Sequence, residues 1–362
     1  MTAAPRLGQD QLKILLVDDN IFIRNLISHC LGHMGFSGLR GFSNGIQAIE
    51  FIKPAVEDED SQLAKEVGQA DLIISDLIMP QLNGIQLLHW VRTNKDSPNR
   101  FMPFIMISGA ADQKNVHEAR DAGANEFVAK PFTIGSVFSR IQAVIDRPRQ
   151  FVATRKYFGP DRRRVKIEIP ENGPKDRRRP GEDHATVVYS ADKVERKTKG
   201  SDTYLFKLPN ILKQKMGLHN SNKPFEMPTE ILAEAEDTLE REAEGFLDWA
   251  KTFLDDLSDK VAQAQKDAAN RAGHLAEVNR IAHELRGQGG TFGYPLITLI
   301  AKSLYETTEY PCREDDANLK ICVAHIDTLR AVIREKIEGD GGAIGRQLLS
   351  SLNQAIAKYS SK

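Results

Sequence analysis

Short apolar runs alternating with helix-length amphipathic stretches constrain the first 146 residues more than any other feature. Leu12–Val17 (LKILLV), Leu72–Ile74 and Pro103–Ile107 are too short for helices and rich in branched side chains, as strands buried on both faces of a parallel sheet must be. Gly38–Phe42 and Glu126–Ala129 supply two more strand-length segments. Between them Ile23, Leu26, Ile27 and Leu31 recur at helical spacing after Asn20, a good N-cap, and end at Gly32 and Gly35. Further helices are predicted over 45–52, 84–94 and 112–122, and a last one carries Ile134, Val137, Phe138, Ile141 and Ile145 on one face. Five strands alternating with five helices predict an α/β doubly wound fold with a five-stranded parallel sheet over 12–146.

Open sheets of this kind carry their chemistry at the carboxyl ends of the strands. Asp18 and Asp19 follow the first strand, Asp76 ends the third before Pro80 stops it, Ser108 ends the fourth and Lys130 the fifth. A single loop aspartate is ordinarily a cap for the next element. Three carboxylates converging on one sheet edge raise one another's pKa unless a cation joins them, and an all-oxygen donor set suits Mg²⁺. Three acids, a hydroxyl and a lysine at successive strand ends form a site for handling a phosphoryl group, where positioning and charge neutralisation supply most of the catalysis.

At these residues the chain resembles the response-regulator receiver family, over about 12–146. Asp18-Asp19 is similar to its acidic pair, Asp76 with Met79, Pro80 and Gly84 to its D-x-x-M-P…G turn, and Ser108 and Lys130-Pro131 to its Ser/Thr and Lys-Pro. The resemblance implies that Asp76 accepts a phosphoryl group. It further implies that Asp18, Asp19, Asp76 and the Ile78 carbonyl form the Mg²⁺ site, that Ser108 and Lys130 contact the phosphoryl group, and that Phe127 and Ser108 switch on phosphorylation. One departure is Pro54–Ala70, a long connection with the acidic run Glu57–Asp60.

From 147 to 228 periodicity fades, and between 147 and 207 basic side chains outnumber acidic ones by nearly two to one. Two near-copies, one ending in Arg162–Arg164 and the other in Arg177–Arg179, sit among Pro and Gly, which predicts a basic, largely irregular linker. Short strands are allowed at 165–169, 185–189 and 204–208. The arginine clusters are also candidate anion contacts, for phosphate-rich partners including nucleic acid.

From Thr229 to Lys362 the pattern is helical. Leu232, Leu239, Phe246 and Phe253 repeat every seven residues and predict one long helix, with others over 271–291, 296–308, 316–337 and 343–359 in an all-α bundle. On the helix through Leu275 and Leu285 the apolar residues share one sector, and His283 falls on the opposite, open face with Gly287 and Gly290. Glycine inside a helix costs about 1 kcal/mol relative to alanine, so glycines beside an exposed histidine suggest clearance for an approaching surface. Ala282-His283-Glu284-Leu285-Arg286-Gly287 resembles the core of the histidine phosphotransfer (HPt) domain, with Phe292-Gly293 beyond it. The resemblance implies that His283 carries a phosphoryl group and that Arg286 stands where a lysine usually steadies it. Gln288-Gly289 departs from the usual small pair.

These readings predict a two-component phosphorelay protein in which Asp76 and His283 both carry phosphoryl groups. No Gly-rich G-x-x-x-x-G-K phosphate loop is present, so no ATP-binding kinase core is expected. The phosphoryl group would come from a sensor histidine kinase, another receiver or a phosphotransfer protein. Two rivals remain: a response regulator whose bundle is a binding or output module with an inert His283, and a nucleic-acid-binding regulator working through the arginines. Cys30, Cys312 and Cys322 lack metal-ligand spacing, no apolar run approaches about 18 residues and the start shows no export segment, so a cytoplasmic location is expected.

Overall fold

The side-chain pattern of the first half is met by a parallel sheet whose inner strands are covered on both faces. The computed structural model describes residues 8–53, 70–108, 113–162, 186–188, 204–218, 221, 223–243 and 245–360. By contacts the chain divides into two units: 1–108 with 112–128 and 134–236, and 237–362 with 109–111 and 129–133.

In the first unit, β1 (Lys13–Val17), β2 (Gly38–Phe42), β3 (Leu72–Asp76), β4 (Phe104–Ser108) and β5 (Glu126–Ala129) form one sheet in the order β2-β1-β3-β4-β5. All five residues of β3 and of β4 are buried, whereas the edge strand β2 is partly exposed. The helices are α1 (Ile21–His33), α2 (Gly45–Ile52), α3 (Gly84–Thr93), α4 (Gln113–Ala122) and α5 (Ile134–Asp146). The first three each start at an asparagine, Asn20, Asn44 or Asn83, whose side chain accepts backbone N–H groups of the first turn. Register places the site. Val17 pairs with Ser75, which brings Asp18 level with Asp76, and Asp76 pairs with Ile107, one residue before Ser108.

The opposite end of this sheet is tied by Arg92, on α3 and 1% exposed. Its guanidinium donates to the carbonyls of Gly123 (3.1 Å), Arg100 (2.9 Å) and Met102 (2.7 Å) and to Asn125 Oδ1 (2.9 Å). Burial pushes the guanidinium down to about 9, which still leaves it a cation at neutral pH, satisfied by dipoles.

Among the described residues, the segment after α5 holds four short strands, β6 (Phe151–Ala153), β7 (Phe158–Pro160), β8 (Thr186–Val188) and β9 (Tyr204–Phe206), in a second sheet ordered β7-β6-β9-β8. β8 and β9 fall on two of the strand-length stretches at 185–189 and 204–208. Phe151, Phe158 and Phe206 gather around Phe101 with ring centroids 5.0–5.2 Å from it. Farther on, α6 (Ile211–Lys215) pairs Lys215 with Asp71 at 2.6 Å. Phe225 inserts its ring between Phe36 and Phe138, and its N–H donates to Asp146. So the described part of 147–228 is packed onto the first sheet and its helices. The third stretch at 165–169, the acidic loop at 54–69 and all the clustered arginines except Arg162 lie outside the described residues.

The remaining helices are α7 (Thr229–Ala243), α8 (Phe246–Lys266), α9 (Arg271–Gln288), α10 (Pro295–Thr308), α11 (Asp316–Arg334) and α12 (Gly342–Ser360). The heptad stretch is thus two helices rather than one, with Gly245 as the N-cap of α8. α8 packs on α9 and α11, α10 on α9 and α11, and α12 on α11. Their core is aliphatic, with Phe246 stacked on Phe292 at 4.8 Å. Two backbone contacts and one side-chain contact explain one glycine: a Cβ on Gly289 would meet Tyr294 O and Thr298 N at 2.8 Å and Thr298 Oγ1 at 2.9 Å, so α9 and α10 approach only because it has none. No disulfide joins Cys30, Cys312 or Cys322.

Replacing Arg92 by Met keeps much of its apolar stem and leaves four buried acceptors without their donor. Arg92→Met should lower unfolding stability by about 3 kcal/mol, read from denaturant midpoints, whereas exposed Arg40→Met should be nearly silent.

Candidate functional site

Asp18, Asp19 and Asp76 are brought together as the strand register requires: one carboxylate oxygen from each lies within 4.8 Å of the others. Asp18 and Asp76 are 4% and 2% exposed, and Asp19 is half-buried. Asp18 accepts the Asn20 N–H at 2.9 Å, which joins the acidic pair to the cap of α1, and its carbonyl accepts from the Arg24 guanidinium. Asp76 accepts the Leu77 N–H at 2.9 Å.

The turn after Asp76 folds tightly back. Gly84 N–H donates to Leu77 O at 3.0 Å, and a Cβ on Gly84 would collide with the Asp76 carbonyl oxygen, so glycine is required there by close approach. Gln81, within this turn, has φ 66°, a left-handed conformation that a glutamine does not signal. Met79 is buried and Ile78 packs partly on the core. Ser108 ends β4 fully buried, Lys130 follows β5 at 4% exposed, and Phe127 packs partly buried against the core under the sheet.

In the second unit His283 sits on α9 at 4% exposed, so the open face expected for it is closed. A helical wheel allows for one buried sector, but α9 lies between α8 and α10, and Ile281 to Leu285 are all buried. Arg286 Nη2 donates to His283 Nδ1 at 2.9 Å. The Arg286 guanidinium carbon stands 4.2 Å from the ring centroid of Tyr305, a residue of α10 that no sequence motif marks, and the Tyr305 ring lies 5.6 Å from the imidazole. Gly287 is buried, and Gly290 is half-buried with its N–H bonded to Thr298 Oγ1 at 2.8 Å.

The profile of the response regulator receiver domain matches residues 14–142. The Probable chemotaxis protein CheY of Rhizobium etli is 32% identical over 135 residues, 37% of this chain and 93% of that protein. The chain belongs to the response regulator receiver family. The chemotaxis protein CheY-3 of Vibrio cholerae is 27% identical over 136 residues, 38% of this chain and 93% of its own. A solved structure of chemotaxis protein CheY4 from Vibrio cholerae shares 26% identity, covering 37% of this chain and 98% of its own with a TM-score of 0.29.

The receiver is thus a response-regulator domain of two-component signalling, and its acidic cluster fits a hard divalent cation: every donor is a carboxylate oxygen and the three lie close enough to share one ion. Among the described residues, no helix is long and apolar enough to cross a membrane.

Burial, reinforced by the Arg286 charge, pushes the His283 imidazole down from 6.5 to about 3. The folded chain then refuses a proton that the unfolded chain takes up, so between pH 6.5 and 3 the unfolded state binds more protons and stability falls as the solution is acidified. Denaturation midpoints measured from pH 7.5 to 4 should therefore drop more steeply for the parental chain than for His283→Gln. Parallel curves would show that the imidazole takes up its proton equally well in both states.

Proposed function

We propose that this protein is a cytoplasmic phosphorelay component in which Asp76 of the receiver accepts a phosphoryl group and His283 of the bundle is a second carrier. The observation that carries the reading is the meeting of three carboxylates at 4.8 Å on a sheet edge where Ser108 and Lys130 end the next two strands. Asp18, Asp19, Asp76 and the Ile78 carbonyl would hold Mg²⁺, which supplies charge neutralisation for the incoming group. An Asp76 carboxylate oxygen attacks phosphorus, the P–N bond of a phosphohistidine donor breaks, and an aspartyl phosphate forms. Ser108 and Lys130 bind the phosphoryl oxygens, and Phe127 responds. Sensor histidine kinases, other receivers and phosphotransfer proteins are the donors and acceptors that suit this chemistry.

A second reading is favoured by the burial of His283: the bundle is an output module whose histidine carries nothing. A nucleic-acid role has less support, because the one described residue of the arginine clusters, Arg162, pairs with Asp121 at 3.2 Å and stacks on Tyr157 at 3.9 Å.

Incubation with a small acyl phosphate and Mg²⁺ should give an alkali-labile label that Asp76→Asn reduces at least about a hundredfold, the loss expected on removing a nucleophile. Asp19→Asn should slow labelling about tenfold or more at limiting Mg²⁺. Undiminished alkali-labile label on Asp76→Asn overturns the assignment of the receiver site. Acid-labile label on His283, absent from His283→Gln, separates the relay from the output module.

A further inference from the structure

We propose that Tyr305 is a positioning residue for His283: its ring face holds the Arg286 guanidinium as a latch that bonds the imidazole at rest and turns to the phosphoryl group during transfer. This rests on the phosphotransfer reading of His283 and adds a residue to it.

The latch is built from two helices. Asn279, one turn before His283 on α9, donates through Nδ2 to the Tyr305 carbonyl at 2.8 Å and to Thr308 Oγ1 at 3.1 Å, which fixes α10 against α9 at the height of the imidazole. Thr308 is itself buried and bonded back to Leu304 O at 2.9 Å, so this joint is stiff. On that support the Tyr305 ring meets the guanidinium at 4.2 Å, a cation–π separation, and the guanidinium meets Nδ1 at 2.9 Å. A planar guanidinium can slide and turn over a ring face while keeping contact with it, which an ammonium on a flexible stem does less well. Arg286 in place of the usual lysine therefore has a structural counterpart in Tyr305.

The hydrogen bond settles the tautomer. Guanidinium groups only donate, so Nδ1 accepts and the ring proton sits on Nε2. At rest the imidazole therefore offers no lone pair at Nε2. If the guanidinium turns to an arriving phosphoryl oxygen, Nδ1 is released, solvent takes the proton from Nε2 and returns one to Nδ1, and the Nε2 lone pair is bared. Nε2 then attacks phosphorus: the P–N bond forms, the donor's P–O or P–N bond breaks, and the leaving group departs with that bond's electron pair. The proton stays on Nδ1 until solvent removes it. Arrival of the phosphoryl group is thereby coupled to unmasking of the nucleophile, with Tyr305 as the surface on which the cation moves.

The test uses the full chain in an Asp76→Asn background, with phosphoramidate as donor and acid-labile label on His283 as readout. Tyr305→Phe keeps the ring face and should transfer within about twofold of the parent. Tyr305→Leu should lower the maximal rate about fivefold, as loss of a half-buried cation–π contact implies, with half-saturation by phosphoramidate little changed. The ¹⁵N-detected Arg286 Nε–H resonance reports the latch directly: the ring current should displace it in the parent and in Tyr305→Phe but not in Tyr305→Leu. Parental rate and an unchanged Arg286 resonance in Tyr305→Leu overturn the positioning role. If the parent acquires no label on His283 from phosphoramidate or from a phosphorylated receiver, the phosphotransfer reading falls and the latch falls with it. Equal rate losses in Tyr305→Phe and Tyr305→Leu would point to the hydroxyl instead and also overturn the proposal.

Discussion

Three carboxylates within 4.8 Å of one another repel, and nothing local in the chain favours bringing them together. Their meeting is imposed by the sheet. The pairing of β1 with β3 runs residue by residue from Ile14 with Leu72 to Val17 with Ser75, and the side chains that enforce it are buried at 2% exposed or less. Burial of each such aliphatic side chain contributes roughly 1.5–3 kcal/mol, so a few pairs offset the electrostatic cost of an acidic edge. The apolar strands are in this sense the source of the site's charge density.

The two ends of that sheet solve the burial of charge differently. At the carboxyl end, three carboxylates are concentrated within 4.8 Å of one another. At the amino end, Arg92 is buried with its charge spread over carbonyl and amide oxygens of four different residues. A buried cation held by dipoles has no counter-ion to lose to salt or acid, so this end is a fixed support while the other is chemically responsive. His283 is a third arrangement, a buried imidazole kept neutral by its surroundings and touched by a cation that can only donate.

Much of this was legible from residue order. The strand lengths, the Asn20 cap, the three acids at strand ends and the glycine at 84 follow from periodicity and turn chemistry, which act over a few residues. What was not legible depends on partners far along the chain. Arg92 reads as an ordinary cation in the last turn of a helix, and only the arrival of Gly123 and Asn125, some thirty residues later, buries it. His283 reads as exposed because a wheel assigns α9 one partner, whereas it has α8 on one side and α10 on another. Tyr305 carries no motif, since a lone aromatic on a helix gives no sign of which face another helix will present to it. The heptad reading ran through Gly245, where the helix instead restarts; spacing alone does not register a break that costs only one glycine.

The short second sheet and the stretch through Phe225 have a consequence for where one domain ends. Family likeness stops near residue 142, yet Phe101, Phe36 and Phe138 are covered by rings supplied from Phe151, Phe206 and Phe225, and Asp71 and Asp146 find their cations at Lys215 and Lys213. The recognisable motif and the cooperative unit therefore have different borders. A chain cut at the edge of the motif would keep Asp18, Asp19, Asp76, Ser108 and Lys130 and expose an aromatic floor, so that the residues of the acidic site and the covering of the core beneath them are separable, and the tail after α5 belongs to the receiver by packing.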